Sequence, residues 1–566
     1  MEAPSNTIAR KDRVFSRGQI EILIANQHTI IIVDQKVLKV DAWLKYHPGG
    51  QKAIQHMVGR DATDEVNALH SADARRRMSS YQIGRIEGRW KNFLPPIQGG
   101  VFQDPVLGGL GENETENSSE AENTTASTET SRSASPLFDP ADCDVPMVRN
   151  RGPTLHHSSS DTSLSSLDLV EEEAEPKLSY LDARTQEGID LDLATYPPLD
   201  PATQDEIVHK YRVLEQRIRA EGLFQCRYTS YLFEIARYLM LFGACLYFLH
   251  AGWYTTSGLF LGLFWHQLVF TAHDAGHMGI THSFAIDTTI GIIVADFLGG
   301  LSLGWWKRSH NVHHIVTNSP EHDPDIAQMP FFAISHRFFE SIRSTYYDRV
   351  LTYDPFARLA IRYQAYLYYP ILALGRFNLY ILSWCFLLGG QSPRHGPAKW
   401  TLPLEIAGQC FFWSWYGYAI IYRSIPTFLG RVAFVLASHL ITGPLHVQIT
   451  LSHYAMSTAD LGPAESFPQK MLRTTMDVAC PPFLDFIHGG LQFQAVHHLF
   501  PRVPRHNLRK VQALVMTFCE ETEIPYALLG FVDGNKKVIG RLGEVGRQAA
   551  ILAACQREVA KKGVLH

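Results

Sequence analysis

Three histidine clusters carry the spacing of a metal site: His273-Asp-Ala-Gly-His277, His310-Asn-Val-His313-His314 and Gln494-Ala-Val-His497-His498. On a helix, residues at i, i+3 and i+4 project from one face, so each cluster presents its imidazoles together. Neutral imidazole suits iron, zinc or copper rather than magnesium or calcium. One His-x-x-x-His alone is as often a packed or solvated pair. Three clusters, each beside an apolar segment, predict one polynuclear metal centre. Near the start of the chain stand two more histidines, His47 in His47-Pro-Gly-Gly50 and His70. Two histidines from separate helices can clamp haem iron axially and leave no open position, an arrangement that passes electrons. The alternative is a pair of surface histidines with His-Pro-Gly-Gly as a simple turn.

The elements that must position these residues differ along the chain. With 566 residues, two or more domains are expected. A net charge of -5 and a pI near 6.6 give no reason to expect nucleic acid. The eight cysteines contain no Cys-x-x-Cys pair, which argues against a zinc–thiolate site or disulfide framework and suits a reducing environment. Residues 1–14 read as a disordered N-terminus without the apolar core of a signal peptide. Residues 15–91 read as a small α+β domain opening on two β-type runs, 20–24 and 29–33. Asp61, Asp64, Glu65 and Asp73 in this region are either a docking face for a basic reductase or a solvated acidic face.

From 99 to 200 the composition turns to Ser, Thr, Glu, Gly and Pro, too few large apolar groups to offset ordering entropy, so a disordered tether is expected. It holds the sequons Asn113-Glu-Thr, Asn117-Ser-Ser and Asn123-Thr-Thr and a Ser/Asp-rich stretch at 158–168.

Residues 201–566 read as an all-α integral membrane domain with a cytosolic cap. Apolar segments lie at 231–250, 252–272, 366–390, 402–422 and 427–452, with a glycine-rich sixth at 284–304. All clusters must share one side, so 284–304 cannot cross, and 366–390, with Arg376 and Asn378 inside it, is placed in the interface. Four transmembrane helices result, with both termini cytosolic. Lys307, Arg308, Arg502, Arg505, Arg509 and Lys510 flank the clusters as the positive-inside rule prefers, while Arg423 and Arg431 disagree. Segments 506–522 and 543–562 read as amphipathic helices.

Residues 15–91 resemble cytochrome b5, through His47-Pro48-Gly49-Gly50, Gly59-Arg-Asp61-Ala62-Thr63 and His70-Ser71. That match implies one haem b held by His47 and His70. Residues from about 230 to 510 resemble the membrane-bound fatty-acyl and sphingolipid desaturases. The fused haem domain, and Gln494 where other desaturases carry a histidine, resemble the front-end branch. Trp305-Trp306-Lys-Arg-Ser-His310, Glu465-Ser466-Phe467-Pro468 and Gly489-Gly-Leu-Gln-Phe-Gln494 resemble the fungal sphingolipid Δ8-desaturases within it.

The resemblance implies two non-haem irons among His273, His277, His310, His313, His314, His497 and His498, with Gln494 beside them as amide donor or filler. His453, near the end of the last span, corresponds by position to a further ligand. His446 and His439, seven and fourteen residues earlier, are expected to make polar contacts in the bundle, and His488 is a weaker ligand candidate. Asp274 is expected to orient a ligand or cap a helix. Trp305, Trp306 and the aromatics of 411–418 are candidate tunnel walls or interface anchors. The implied activity is O2-dependent desaturation at C8 of a ceramide long-chain base. O2 is the co-substrate, and electrons come from an NADH-cytochrome b5 reductase at the endoplasmic reticulum membrane. A Δ5/Δ6-type front-end acyl-lipid or acyl-CoA desaturase, a cytochrome b5-fused lipid hydroxylase, and a membrane-anchored haem protein without its own catalysis stand as alternatives.

Overall fold

The computed structural model describes residues 10–93 and 179–561. The three sequons and the 158–168 stretch lie outside the described residues, as do residues 1–9 and 99–178 of the expected disordered segments. Around the haem-ligand candidates an antiparallel sheet runs β1 (Ile30–Val33), β2 (Lys36–Lys39), β3 (Gln82–Arg85), with Ile30 opposite Lys39 and a register shift between Val37 and Leu38. The run at 20–24 is helical, not a strand. Ser16 caps helix Arg17–Ala25: its Oγ accepts from the Gln19 N–H at 3.3 Å while Gln19 reaches back to the Ser16 N–H at 3.2 Å. This capping box outweighs the β-propensity of three isoleucines. Residues 10–14, expected to be disordered, form a 3-10 turn at Arg10–Asp12 and a bridge from Val14 to Arg85.

The expected tether ends earlier than 200. Ser179 caps a helix over Tyr180–Thr195, and Asp200 caps another over Pro201–Ala220. The first is held to the body through Asp192, which accepts from buried Arg473 at 2.7 Å. Tertiary ion pairing, invisible in composition, orders this polar stretch.

Six helices position the site: α1 (Tyr228–His250), α2 (Tyr254–Gly276), α3 (Leu303–Ile315), α4 (Phe428–Leu440), α5 (Gly443–Tyr454) and α6 (Gln494–Leu499). α2 is the central one. A Cβ on Gly258 would lie 2.5 Å from the Phe434 carbonyl, and one on Gly262 would lie 2.4 Å from that of Ser438. These glycines let α2 and α4 pack backbone to backbone, as small residues do between membrane helices. Arg376, in the segment expected at the interface, is 2 % exposed, donates to the Tyr380 hydroxyl at 3.0 Å and lies 4.0 Å over the Trp265 ring.

Among the described residues two helices are long and apolar enough to cross a membrane, Tyr228–His250 and Phe428–Tyr454. Two sharply bent pairs, Phe284–Leu298 with Leu303–Ile315 and Gln364–Ala373 with Gly375–Leu388, raise the number to four at most. The expected spans at 252–272 and 402–422 are not among these. α2 carries His266, Gln267 and Thr271, all buried in the bundle, and such groups lower the apolar character of a central helix. Beyond the bundle, helices Leu508–Thr522 and Phe531–Lys561 cover one end, and a short strand Asp477–Ala479 pairs in parallel with Leu528–Gly530. Seven described cysteines are free.

Candidate metal centre

The three clusters and His453 converge at one end of the bundle. His273 ends α2 and His277 is its C-cap, with ring centroids 4.7 Å apart. Ser302 starts α3 by accepting from the Trp305 N–H at 3.0 Å. That helix then carries His310, His313 and His314. α6 brings His497 and His498, and the last turn of α5 brings His453.

The imidazoles sort into two sets. Donor atoms of His273, His277, His310 and His497 lie within 4.8 Å of one another, and so do those of His313, His453 and His498. His314 stands between the sets, its ring 4.7 Å from His277 and 4.2 Å from His498, and it shares a 3.1 Å contact with His310. Trp306 stacks on His310 at 4.4 Å and meets His277 edge-on at 5.4 Å. It reaches them because position 276 is glycine, where a Cβ would sit 2.1 Å from the indole.

Whether this cage suits a metal is tested by its ring nitrogens. Among the described residues, Nε2 of His273, His277, His497 and His498 and Nδ1 of His314 and His453 are buried without a hydrogen-bond partner. A buried polar atom left unsatisfied costs about 1–3 kcal/mol, so six in one place are tolerated only if something ligates them. Burial and then the neighbouring imidazoles push His277, His314, His497 and His498 well below the usual histidine range. Neutral rings are the metal-binding form. His313 is the exception. Burial pulls it down, but the carboxylates of Asp323 and Asp325 outweigh this and hold it at about 9. Asp323 takes the His313 Nδ1–H at 2.9 Å and is itself fixed by the N–H groups of Asn318 and Asp325 at 2.7 and 2.8 Å. That leaves Nε2 of His313 to face the cage, as a carboxylate behind a ligating histidine does.

Sequence reasoning missed Asp323 and Asp325. The signal was His322-Asp323-Pro324-Asp325, just past the second cluster. Gln494 is buried at the start of α6, one turn before His497 and His498. Asp274 contacts no imidazole. Its carboxylate accepts from Arg505 and Tyr231, both at 2.5 Å, so it is an ion-pair anchor rather than a ligand orienter or cap. His439 stacks on Phe377 and His446 donates to the Leu372 carbonyl at 2.9 Å, both within the bundle as expected. His488 meets Phe531 and joins neither set. Of the aromatics, Trp306 lies against the site, whereas Phe412 and Tyr416 pack into the core around Trp265.

The haem-ligand candidates face each other, ring centroids 5.9 Å apart. His47 donates from Nδ1 to the Gly50 carbonyl at 2.8 Å, and His70 donates to that of Val66 at 3.2 Å, which turns each Nε2 toward the gap. Burial, with the opposite ring next, lowers His70 to about 3. These rings suit an axially clamped haem.

The haem module is packed against the metal cage. Val312, Ile315 and Val316 share one core with Ile31, Val40, Ala53, Met57 and Val66. α3 thus presents His310, His313 and His314 to one side and its valines to the haem module on the other. A Cβ on Gly49 would lie 2.9 Å from Asn311 Nδ2, so this glycine gives close approach to α3 rather than to a flat ligand alone. The acidic residues do not form one free face. Asp64 accepts from Arg212 at 2.8 Å, burial raises Glu65 to about 7, Asp61 accepts from the Thr63 N–H at 3.1 Å, and Asp73 pairs with Arg76.

A helical body with a two-set histidine cage, joined to a module with two facing histidines, has the architecture of a membrane oxidoreductase with a fused haem-type domain. Residues 237–530 match the fatty acid desaturase family, and residues 22–87 match the cytochrome b5-like heme/steroid binding domain. The delta 8-(E)-sphingolipid desaturase of Emericella nidulans is 59% identical over 98% of both chains. Those of Kluyveromyces lactis and Candida albicans are 47% and 44% identical over at least 96% of each chain. The chain belongs to the fatty acid desaturase family and carries a fused cytochrome b5 domain. It is an oxidoreductase.

Proposed function

We propose that this chain introduces a double bond at C8 of the long-chain base of a ceramide-type sphingolipid, consuming O2 and using electrons relayed by its haem domain. The observation that carries this reading is the two-set cage backed by the haem module on a single helix, α3, in a chain whose near-full-length relatives bear that printed activity. The overall change is –CH2–CH2– plus O2, two electrons and two protons, giving –CH=CH– and two waters. His273, His277, His310 and His497 are assigned to one iron and His313, His453 and His498 to the other, with His314 between them and Gln494 beside the pair.

Two irons held by these histidines would supply the O2-derived oxidant that an unactivated methylene requires, and one haem b held by His47 and His70 would supply the electrons singly. The chain's own groups do the rest. Asp323 keeps the proton of His313 on Nδ1 and so keeps Nε2 available. Trp306 closes the cage against water beside His310. The core shared by α3 and the haem module fixes that module against the helix that carries His310, His313 and His314.

With the cage on one side of the bilayer, α1, 252–272, 402–422 and the α4–α5 pair are proposed as four spans, both termini and the site facing the cytosol at the endoplasmic reticulum. NADH-cytochrome b5 reductase is the proposed donor, meeting the haem module on surface other than the engaged Asp64. Lipid analysis of a host lacking 8-unsaturated bases tests the function. New 8-unsaturated base supports it. New acyl double bonds with unchanged bases indicate the acyl-desaturase alternative, and a product that gains oxygen indicates a hydroxylase.

A further inference from the structure

The N-terminal half of α3 lines a second pocket, roofed by Pro48 and Gly50 of the haem-ligand loop. Its apolar walls include Phe284, Leu303 and Phe386. Arg308, which donates to the Gln391 side-chain oxygen at 3.0 Å, also lines it, as do four buried polar residues, Thr288, Thr401, Lys307 and Glu405. Lys307 is 8 % exposed, and its Nζ has no hydrogen-bond partner among the described residues. Glu405 is 1 % exposed. Its Oε2 accepts from the Ser302 hydroxyl at 2.5 Å and the Gly304 N–H at 3.0 Å, while its Oε1 has no partner. A Cβ on Gly304 would lie 2.7 Å from that Oε1, so glycine keeps the carboxyl edge uncovered. Lys307 and Glu405 form no ion pair with each other among the described residues. A donor and an acceptor, each nine-tenths buried and unsatisfied, face one pocket, with the buried, unpartnered Thr288 hydroxyl also in its lining.

Both groups would be costly to bury without a ligand that answers them. We propose that this pocket holds the polar head of the lipid substrate, and that the head is an uncharged hydroxyl- and amide-bearing one. A hydroxyl or amide N–H donates to Glu405 Oε1, and a hydroxyl or carbonyl oxygen accepts from Lys307. Arg308 in the wall is already engaged with Gln391, so a phosphate head would find an unengaged cation only at Lys307 and would set further acceptors against the carboxyl; phospholipid and acyl-CoA heads are disfavoured. The inference rests on the sphingolipid reading above and deepens it.

The same helix supplies a ruler. From Gly304 to His310 it rises about 9 Å, so a head held beside residues 304–307 fixes how many carbons separate it from the cage. Counting from the head rather than the tail end then follows from α3 being one rigid element.

The test uses the full-length, iron- and haem-loaded protein in nanodiscs with a saturated ceramide, comparing Lys307→Met and Glu405→Gln with the natural chain. Lys307 Nζ makes no hydrogen bond among the described residues and lies 5.4 Å over the Phe284 ring. Lys307→Met keeps an unbranched side chain against that ring, and retained iron and haem content checks that both variants fold. Loss of one such hydrogen bond is expected to raise KM about tenfold with kcat far less affected, and to spread the new double bond over positions neighbouring C8. Direct binding of a labelled ceramide should weaken in parallel. Unchanged KM, binding and bond position in both variants overturn the proposal. So does a Lys307→Met variant that alters the haem spectrum but not ceramide binding, which would assign the lysine to the haem. If the natural chain itself leaves ceramide bases saturated, it is the sphingolipid reading that fails, and labelled-ceramide binding then decides the pocket separately.

Discussion

Lys52 of the haem module places its Nζ 2.6 Å from the carboxylate of Asp348 and 2.8 Å from the Thr345 carbonyl in the desaturase body. Beside it, His56 Nε2 meets the Thr345 hydroxyl at 2.8 Å. Asp348 is largely exposed, so the pair alone contributes about 1 kcal/mol or less, roughly a fivefold change in docked population. Lys52→Asp should slow reoxidation of the reduced haem by that order at low salt, and added salt should shrink the difference. The double swap Lys52→Asp with Asp348→Lys should recover most of the rate. Equal reoxidation in all three proteins would show that the docked arrangement is not the electron-delivering one.

Asp323 acts through His313 rather than on substrate. Asp323→Asn removes the carboxylate that fixes the Nδ1 proton and leaves the N–H groups of Asn318 and Asp325 facing a weaker acceptor. Iron affinity should fall by about 10–100-fold, the usual cost of losing such a support. Iron titration of the metal-depleted protein reads this directly. Haem content should stay unchanged, and an unaltered iron affinity would reduce Asp323 to a loop fastener.

The haem site is separable from the cage. Replacing His47 by Ala removes one of the two facing rings, so the b-type absorption spectrum should vanish while non-haem iron remains bound. Conversely, His313→Ala should leave the absorption spectrum intact and abolish desaturation. A His47→Ala protein that retains a full spectrum would refute the ligand pairing.

How much of this was legible in the residues depends on the range of the interaction. Within each cluster the i, i+3 and i+4 spacing announces a shared helix face, and His453 follows from its place at the end of α5. Division into two sets was not legible, because it depends on where α3 and α6 cross. Asp323 and Asp325 act from an irregular loop, where no period marks them. Ile20 and Ile24 read as strand because three isoleucines mask a capping box only two side chains wide. Residues 180–195 read as tether because the groups that order them, Arg473 above all, lie nearly three hundred residues away. The acidic residues near 61–65 gave no sign that Arg212 would take one of them.

Arg473 provides the sharpest stability prediction. It is 1 % exposed, donates to both Glu465 oxygens at 2.7 and 2.9 Å, and donates to Asp192 at 2.7 Å. These two carboxylates come from the Glu465-Ser-Phe-Pro stretch and from the helix that follows the linker, so one guanidinium ties three segments together. Removing one member of a buried ion pair leaves the others uncompensated and costs about 3–5 kcal/mol. Arg473→Met should therefore lower the unfolding midpoint in detergent and expose the 180–195 helix to protease. Arg473→Lys should rescue only partly, since an ammonium cannot make the two-pronged contact with Glu465. Replacing Arg473, Glu465 and Asp192 together by apolar residues should destabilise less than Arg473→Met alone, because no charge is then stranded. If the single variant unfolds like the natural protein and keeps the helix protected, the tie between these segments lies elsewhere.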